Sequence, residues 1–101
     1  MQKKVILLKV REGKLEEWKK WCNELELTRR AEALETLEEE KVTEESCVLV
    51  HFDGAPHVVA FAEGEMLPAR MDREMNQKHV AMKKECLEYV GEGESLYHLK
   101  V

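Results

Sequence analysis

Apolar and polar positions along this chain change period several times, and each change marks an element. Val5 to Val10 is a run of aliphatic and β-branched residues closed by Arg11-Glu12-Gly13, which reads as a strand ending in a turn. From Lys14 to Glu40 the spacing predicts one long helix. Leu15, Trp18, Cys22 and Leu25 recur at intervals of three and four, which places them on one helical face. At about 100° per residue the same face continues through Arg29, Ala33, Thr36 and Glu40. An apolar seam thus turns into a guanidinium, a hydroxyl and a carboxylate. Buried unpaired, such groups are costly, so they pair, meet water or line a cavity. β-Branching near Leu27 and Thr28 marks a place to kink, and Glu38-Glu39-Glu40 opposes the helix dipole at the end.

A second strand is expected over Glu45 to Phe52, a hairpin turn at Asp53-Gly54-Ala55-Pro56, and a returning strand over His57 to Glu63. Pro68 to Asp72 reads as a short helical turn and Met75 to Val90 as the second main helix, stopped by Gly91-Glu92-Gly93. Leu96 to Val101 reads as the last strand. The order is β-α-β-β-α-β over a single domain, residues 1–101. That is the ferredoxin-like α+β arrangement, a four-stranded antiparallel sheet with two helices on one face.

Strand alternation describes both faces of that sheet. Val48, Val50 and Phe52 oppose Cys47 and Leu49; Val5 and Leu7 oppose Ile6, Leu8 and Val10; Val58, Ala60 and Ala62 oppose Val59 and Phe61. Both faces are apolar, whereas helices cover only one. A second copy packed sheet to sheet would cover the other, so a homodimer is expected.

Composition narrows the function classes. With 44% hydrophobic and 37% charged residues the chain is a globular domain, and its net charge of -5 disfavours nucleic acid as a partner. The basic residues alternate with acids, as at Glu16, Glu17, Lys19 and Lys20, which describes a solvated helix surface. No run is long enough to cross a membrane, and a cytoplasmic location is expected. Cys22, Cys47 and Cys86 show neither metal nor disulfide spacing and read as small buried hydrophobes in a reducing compartment. No metal site is expected from His51, His57 and His98.

Three segments carry a family resemblance: Thr28 to Glu40 (TRRAEALETLEEE), Glu45-Ser46, and Lys78-His79-Val80 with Glu85-Cys86-Leu87. With them, the chain resembles a little-characterised bacterial family of unknown function along essentially its whole length. In size, element order and two-sided sheet it is similar to the dimeric α/β-barrel superfamily, which includes antibiotic-biosynthesis monooxygenases and rhamnose mutarotases. Haem-degrading members of that superfamily use an Asn on the first strand, a Trp on the third and a His on the second helix. Of these only His79 has a counterpart here, so no cofactor is expected. The two Trp residues, Trp18 and Trp21, sit early in the first helix, with Trp21 nearer the rim.

His79 falls on the apolar helix face with Met75, Met82, Cys86 and Val90. It is either a core histidine or an acid/base group. With both helices on one sheet face, Arg29, Thr36, Glu40 and His79 are expected to converge on a helix–sheet cavity, flanked by Glu45 and Ser46. Arg29 suits capture of a carboxylate or phosphate, or an ion pair with Glu40 or Glu45. Glu40 suits a base or a partner for His79. Thr36 is equally suited to bonding its own preceding turn. The function this points to is binding of a small polar or anionic ligand, with any chemistry cofactor-free. The alternative is a non-enzymatic accessory dimer in which Arg29, Glu40, Glu45 and His79 form a structural network. A monooxygenase is the least favoured reading.

Overall fold

The computed structural model describes residues 2–101. Its elements follow as β1 (Gln2–Val10), α1 (Leu15–Glu26), α2 (Arg30–Glu39), β2 (Val42–Phe52), β3 (Ala55–Gly64), α3 (Glu74–Cys86) and β4 (Leu87–Glu92). The fold is α+β, an open antiparallel four-stranded sheet in the order β2-β3-β1-β4 with three helices. The element order is therefore β-α-α-β-β-α-β, one helix more than expected.

The extra helix comes from a break in the long one. A straight Lys14–Glu40 rod would run about 40 Å at the helical rise, beyond the 35 Å largest extent of the molecule. The chain instead leaves helical geometry at Leu27 (φ -116, ψ -75), and the Arg29 N–H donates back to the Glu24 carbonyl at 2.7 Å. The second half then folds back against β2 and α3. Leu27 is consequently 64% exposed, although the periodicity is helical on both sides of it.

The other corrections concern the C-terminal half. Pro68 to Asp72 is irregular rather than helical. The last helix ends at Cys86, not Val90, because Leu87 is extended (φ -124, ψ 149) and pairs with Val10. The Cys86 carbonyl accepts from Arg11 N–H at 2.8 Å, which fixes the switch from helix to strand. The fourth strand is thus Leu87–Glu92, and Leu96 to Val101 lies outside the sheet.

The hairpin is tighter than expected. Asp53 (φ 54) and Gly54 (φ 74) form the two-residue left-handed turn that suits antiparallel twist, and pairing resumes at Phe52 with Ala55. Register places Val58 opposite Leu8 and Leu49, on the side covered by helices. There the core assembles from Val10, Trp18, Trp21, Val58, Met75, Cys86 and Leu87. Trp21 is 1% exposed and central, not at the rim.

Candidate functional site

His79 reaches the core edge from α3, between Met75 and Met82. Its Nδ1 accepts a hydrogen bond from Trp21 Nε1 at 2.9 Å. The indole N–H is a donor only, so a neutral His79 carries its proton on Nε2. Burial, with the positive Lys83 one helical turn on, pushes the imidazole down to about 4. At neutral pH His79 is therefore an uncharged ring offering an Nε2–H donor. Among the described residues no protein group bonds that nitrogen.

Trp21 is itself fixed by cations on its ring. Arg29 Cζ lies 5.7 Å and Lys78 Nζ 5.2 Å from the indole centroid. Arg29 also pairs with Glu32, at 3.0 Å, and with Glu74. It does not reach Glu40 or Glu45; its guanidinium ties α2 to α3 and lies against Trp21. The sequence places Arg29 on the right face, but the break at Leu27–Arg29 turns it into a clamp.

Glu40 follows the last turn of α2. Its pKa is raised, first by burial and then by the negative charges of Glu45 and Glu39, with Lys83 opposing. Glu45, on the helix side of β2, is likewise raised, by desolvation against the opposing Lys83. Its side chain still opens to solvent. Glu40, Glu45 and Lys83 thus sense one another without closing into an ion pair. By contrast Arg70 and Arg73 form ion pairs with Asp72, Glu35 and Glu39, which pins the segment before α3 against α2.

Gly64 holds this corner together. At φ +145 it sits against the Lys41 turn so closely that a Cβ would collide with the Lys41 carbonyl oxygen and come within 2.8 Å of Val42 Cα. The Glu40 and Lys41 carbonyls then accept from Leu67 and Glu65 N–H. These bonds satisfy the end of α2 and fix Glu40 beside the start of β2.

Two expected site residues behave otherwise. Thr36 is buried and its hydroxyl donates to the Ala33 carbonyl at 2.7 Å. Ser46 alternates with Glu45 and pairs with Phe61, on the face away from the helices. Neither joins the Glu40–Glu45–His79 side. Lys83 was not singled out from sequence; its signal was its position four residues after His79 on α3.

Cavities lie elsewhere. A cleft of about 660 Å³ at one end of the sheet is lined by residues including Lys9, Arg11, Glu16, Pro56 and Glu88, with Arg11 and Glu88 paired at 3.6 Å. A smaller one, about 150 Å³, lies between α1 and β2 and is lined by Trp18, Lys19, Cys22, Cys47 and Leu49, among others. Among the described residues, no group of three or more His, Cys, Asp or Glu side chains is placed to hold a metal, and no helix is long and apolar enough to cross a membrane.

No curated protein and no solved structure matches the chain. One family model does, along residues 1–100, and by it the chain belongs to a family of unknown function, DUF6176.

Proposed function

We propose that the protein binds a small polar or anionic ligand at the open edge between α2, α3 and β2, as a homodimer of the dimeric α/β-barrel kind. The observation that carries this is the set Glu40, Glu45, Lys83 and His79. Its members come from three elements, interact electrostatically and are not consumed by one another. Lys83 and the His79 Nε2–H supply donors, and Glu40 and Glu45 supply acceptors. A ligand bearing both hydroxyl and carboxylate groups matches that mixture.

Any chemistry here would be proton transfer without a cofactor. Two carboxyl groups with raised pKa, linked through Lys83 to the helix that carries a neutral imidazole, are groups such a transfer uses. Arg29 takes no part as an anion holder; it positions Trp21, and through it His79. Its ion pairs favour the accessory-protein alternative for that residue alone.

A thermal-shift screen of small hydroxy acids and sugars on wild type, His79→Gln and Lys83→Met tests the reading. A compound that raises the wild-type midpoint but not that of either variant, with both variants folded by circular dichroism, supports it. The reading is overturned if no compound separates the three proteins while His79→Gln loses about 1–3 kcal/mol, the cost of orphaning the buried Trp21 donor.

A further inference from the structure

Cys22 and Cys47 lie 25 positions apart in the chain, yet the fold brings them to the same place. Cys22 stands on the core-facing stripe of α1, and Cys47 stands on the helix side of β2 opposite Ala60. Both line the small cavity between these elements. Their thiols are close enough for each to shift the other's titration. Cys47 is exposed and Cys22 half-buried, whereas Cys86 is sealed in the core.

A second feature of the cavity points to the same sulfur. The Trp18 indole N–H is buried and has no hydrogen-bond partner. It sits beside Cys47 Sγ, where it stabilises negative charge on sulfur. Cys22, Cys47 and the unpartnered Trp18 N–H thus line one small cavity.

We propose that Cys22 and Cys47 form a peroxide-reducing dithiol, with Cys47 as the attacking sulfur and Cys22 as the resolving one. The Cys47 thiolate attacks the terminal oxygen of a hydroperoxide. The O–O bond breaks, the departing alkoxide or hydroxide takes up the proton Cys47 released, and Cys47 becomes a sulfenic acid. Cys22 sulfur then attacks the sulfenic sulfur as its own proton passes to the leaving hydroxide. The S–O bond breaks, water departs and the Cys22–Cys47 disulfide forms. In total two thiols lose two electrons and two protons, and one hydroperoxide becomes an alcohol, or water, plus one water.

The electrostatics suit this order of events. The neighbouring Cys22 thiol, and less so the Trp18 indole, bring the Cys47 thiol down to about 7, against burial and the Glu45 charge, which push it up. Cys22 is pushed up by the neighbouring thiolate and by burial, with a smaller push from Cys86 on α3, so it keeps its proton until the second step. Lys19, also on the cavity wall, brings a positive charge to its mouth. Burial pushes Cys86 up as well, which leaves it inert. Because Cys47 faces the helices, a dimer formed through the opposite sheet face leaves it accessible.

The test uses the full reduced chain with one equivalent of hydrogen peroxide, read by intact mass and a non-reducing peptide map. The expected product is a monomer-sized species lighter by two hydrogens, cross-linked Cys22 to Cys47. Cys22→Ser should accumulate a Cys47 sulfenic acid that dimedone traps, and Cys86→Ser should behave as wild type. Iodoacetamide should label Cys47 at least about tenfold faster than Cys86, with a reactivity midpoint near the value given above. Cross-links only between chains, or stable Cys47 sulfenic acid in the wild type, would overturn the resolving role of Cys22. Cys47 alkylation no faster than in urea-unfolded chain would overturn its role as the attacking sulfur.

Discussion

The Trp21 indole N–H donates to His79 Nδ1 at 2.9 Å, and this one bond fixes both the tautomer and the orientation of the imidazole. It joins α1 to α3 across the core edge, where Trp21 is 1% exposed. Trp21→Phe keeps much of the apolar contact and removes the donor. It should lower stability by about 1–3 kcal/mol, because His79 Nδ1 then loses its partner in a half-buried place. Urea unfolding measures the loss, and nitrogen-15 imidazole shifts should show Nδ1–H and Nε2–H tautomers mixing in the variant where the wild type holds Nε2–H alone.

The same environment makes stability depend on pH. Burial lowers the folded His79 pKa to about 4, against an ordinary value of about 6.5 for a free imidazole. Between these values the unfolded chain binds a proton that the folded chain refuses, so stability is complete above 6.5 and falls as pH drops toward 4. Glu40 and Glu45 oppose this, since their raised pKa values let the folded chain bind protons first and so favour folding as pH falls through that region. His79→Gln removes only the first effect. Its unfolding free energy should therefore vary less steeply between pH 6.5 and 4 than that of the wild type, by about 3 kcal/mol at most. Equal slopes for the two proteins would show that His79 titrates normally in the fold.

Much of this arrangement was legible in the chain, and the failures share a cause. Alternation in Val48–Phe52 and Val58–Ala62 gave the correct faces, because register follows from burial on one side. The kink marked at Leu27 and Thr28 is where the helix breaks. It is a full break into two helices, which Leu25, Arg29, Ala33 and Thr36 hide by staying in phase across it. The last strand was displaced because Met82, Cys86 and Val90 continue a helical spacing, while the competing signal, Leu87 pairing with Val10, is tertiary. Arg29 was expected beside Glu40; the break and its ion pairs with Glu32 and Glu74 direct it elsewhere. The cysteines are the instructive miss. Cys22 and Cys47 each stand on a core-facing stripe, and reading those stripes against each other would have placed them together.

Gly64 should be intolerant of any side chain. Its φ of +145 and the collision of a Cβ with Lys41 and Val42 involve backbone atoms that cannot swing aside. Gly64→Ala should cost more than about 1 kcal/mol, and the loss should be centred on the Glu40–Thr43 corner. Hydrogen exchange at the Glu65 and Leu67 amides, which donate to the Lys41 and Glu40 carbonyls, reads the local part directly. Gly54→Ala is the contrast: it meets the same left-handed strain at φ +74 but has nothing within 4 Å, so its cost should be the smaller of the two.

The face of the sheet away from the helices is where a second copy would sit. Val48 is 54% and Phe52 62% exposed there, beside Val59 and Leu7 in register. The tail adds Leu96, Tyr97 and Leu99, each more than four-fifths exposed, with Lys100 placed 3.6 Å from the buried Glu63 carboxylate on that same face. So much aliphatic and aromatic surface at one place favours self-association through the hydrophobic effect. Light scattering coupled to gel filtration should give twice the 11.8 kDa chain mass. Val48→Lys sets two like charges in the joint, and its dissociation constant should rise at least about tenfold, or roughly 1.4 kcal/mol. Its circular dichroism should not change, because Val48 carries little of the chain's own core. A wild type that elutes at the mass of one chain at micromolar concentration would leave that face without an occupant and remove the sheet-to-sheet dimer from the account.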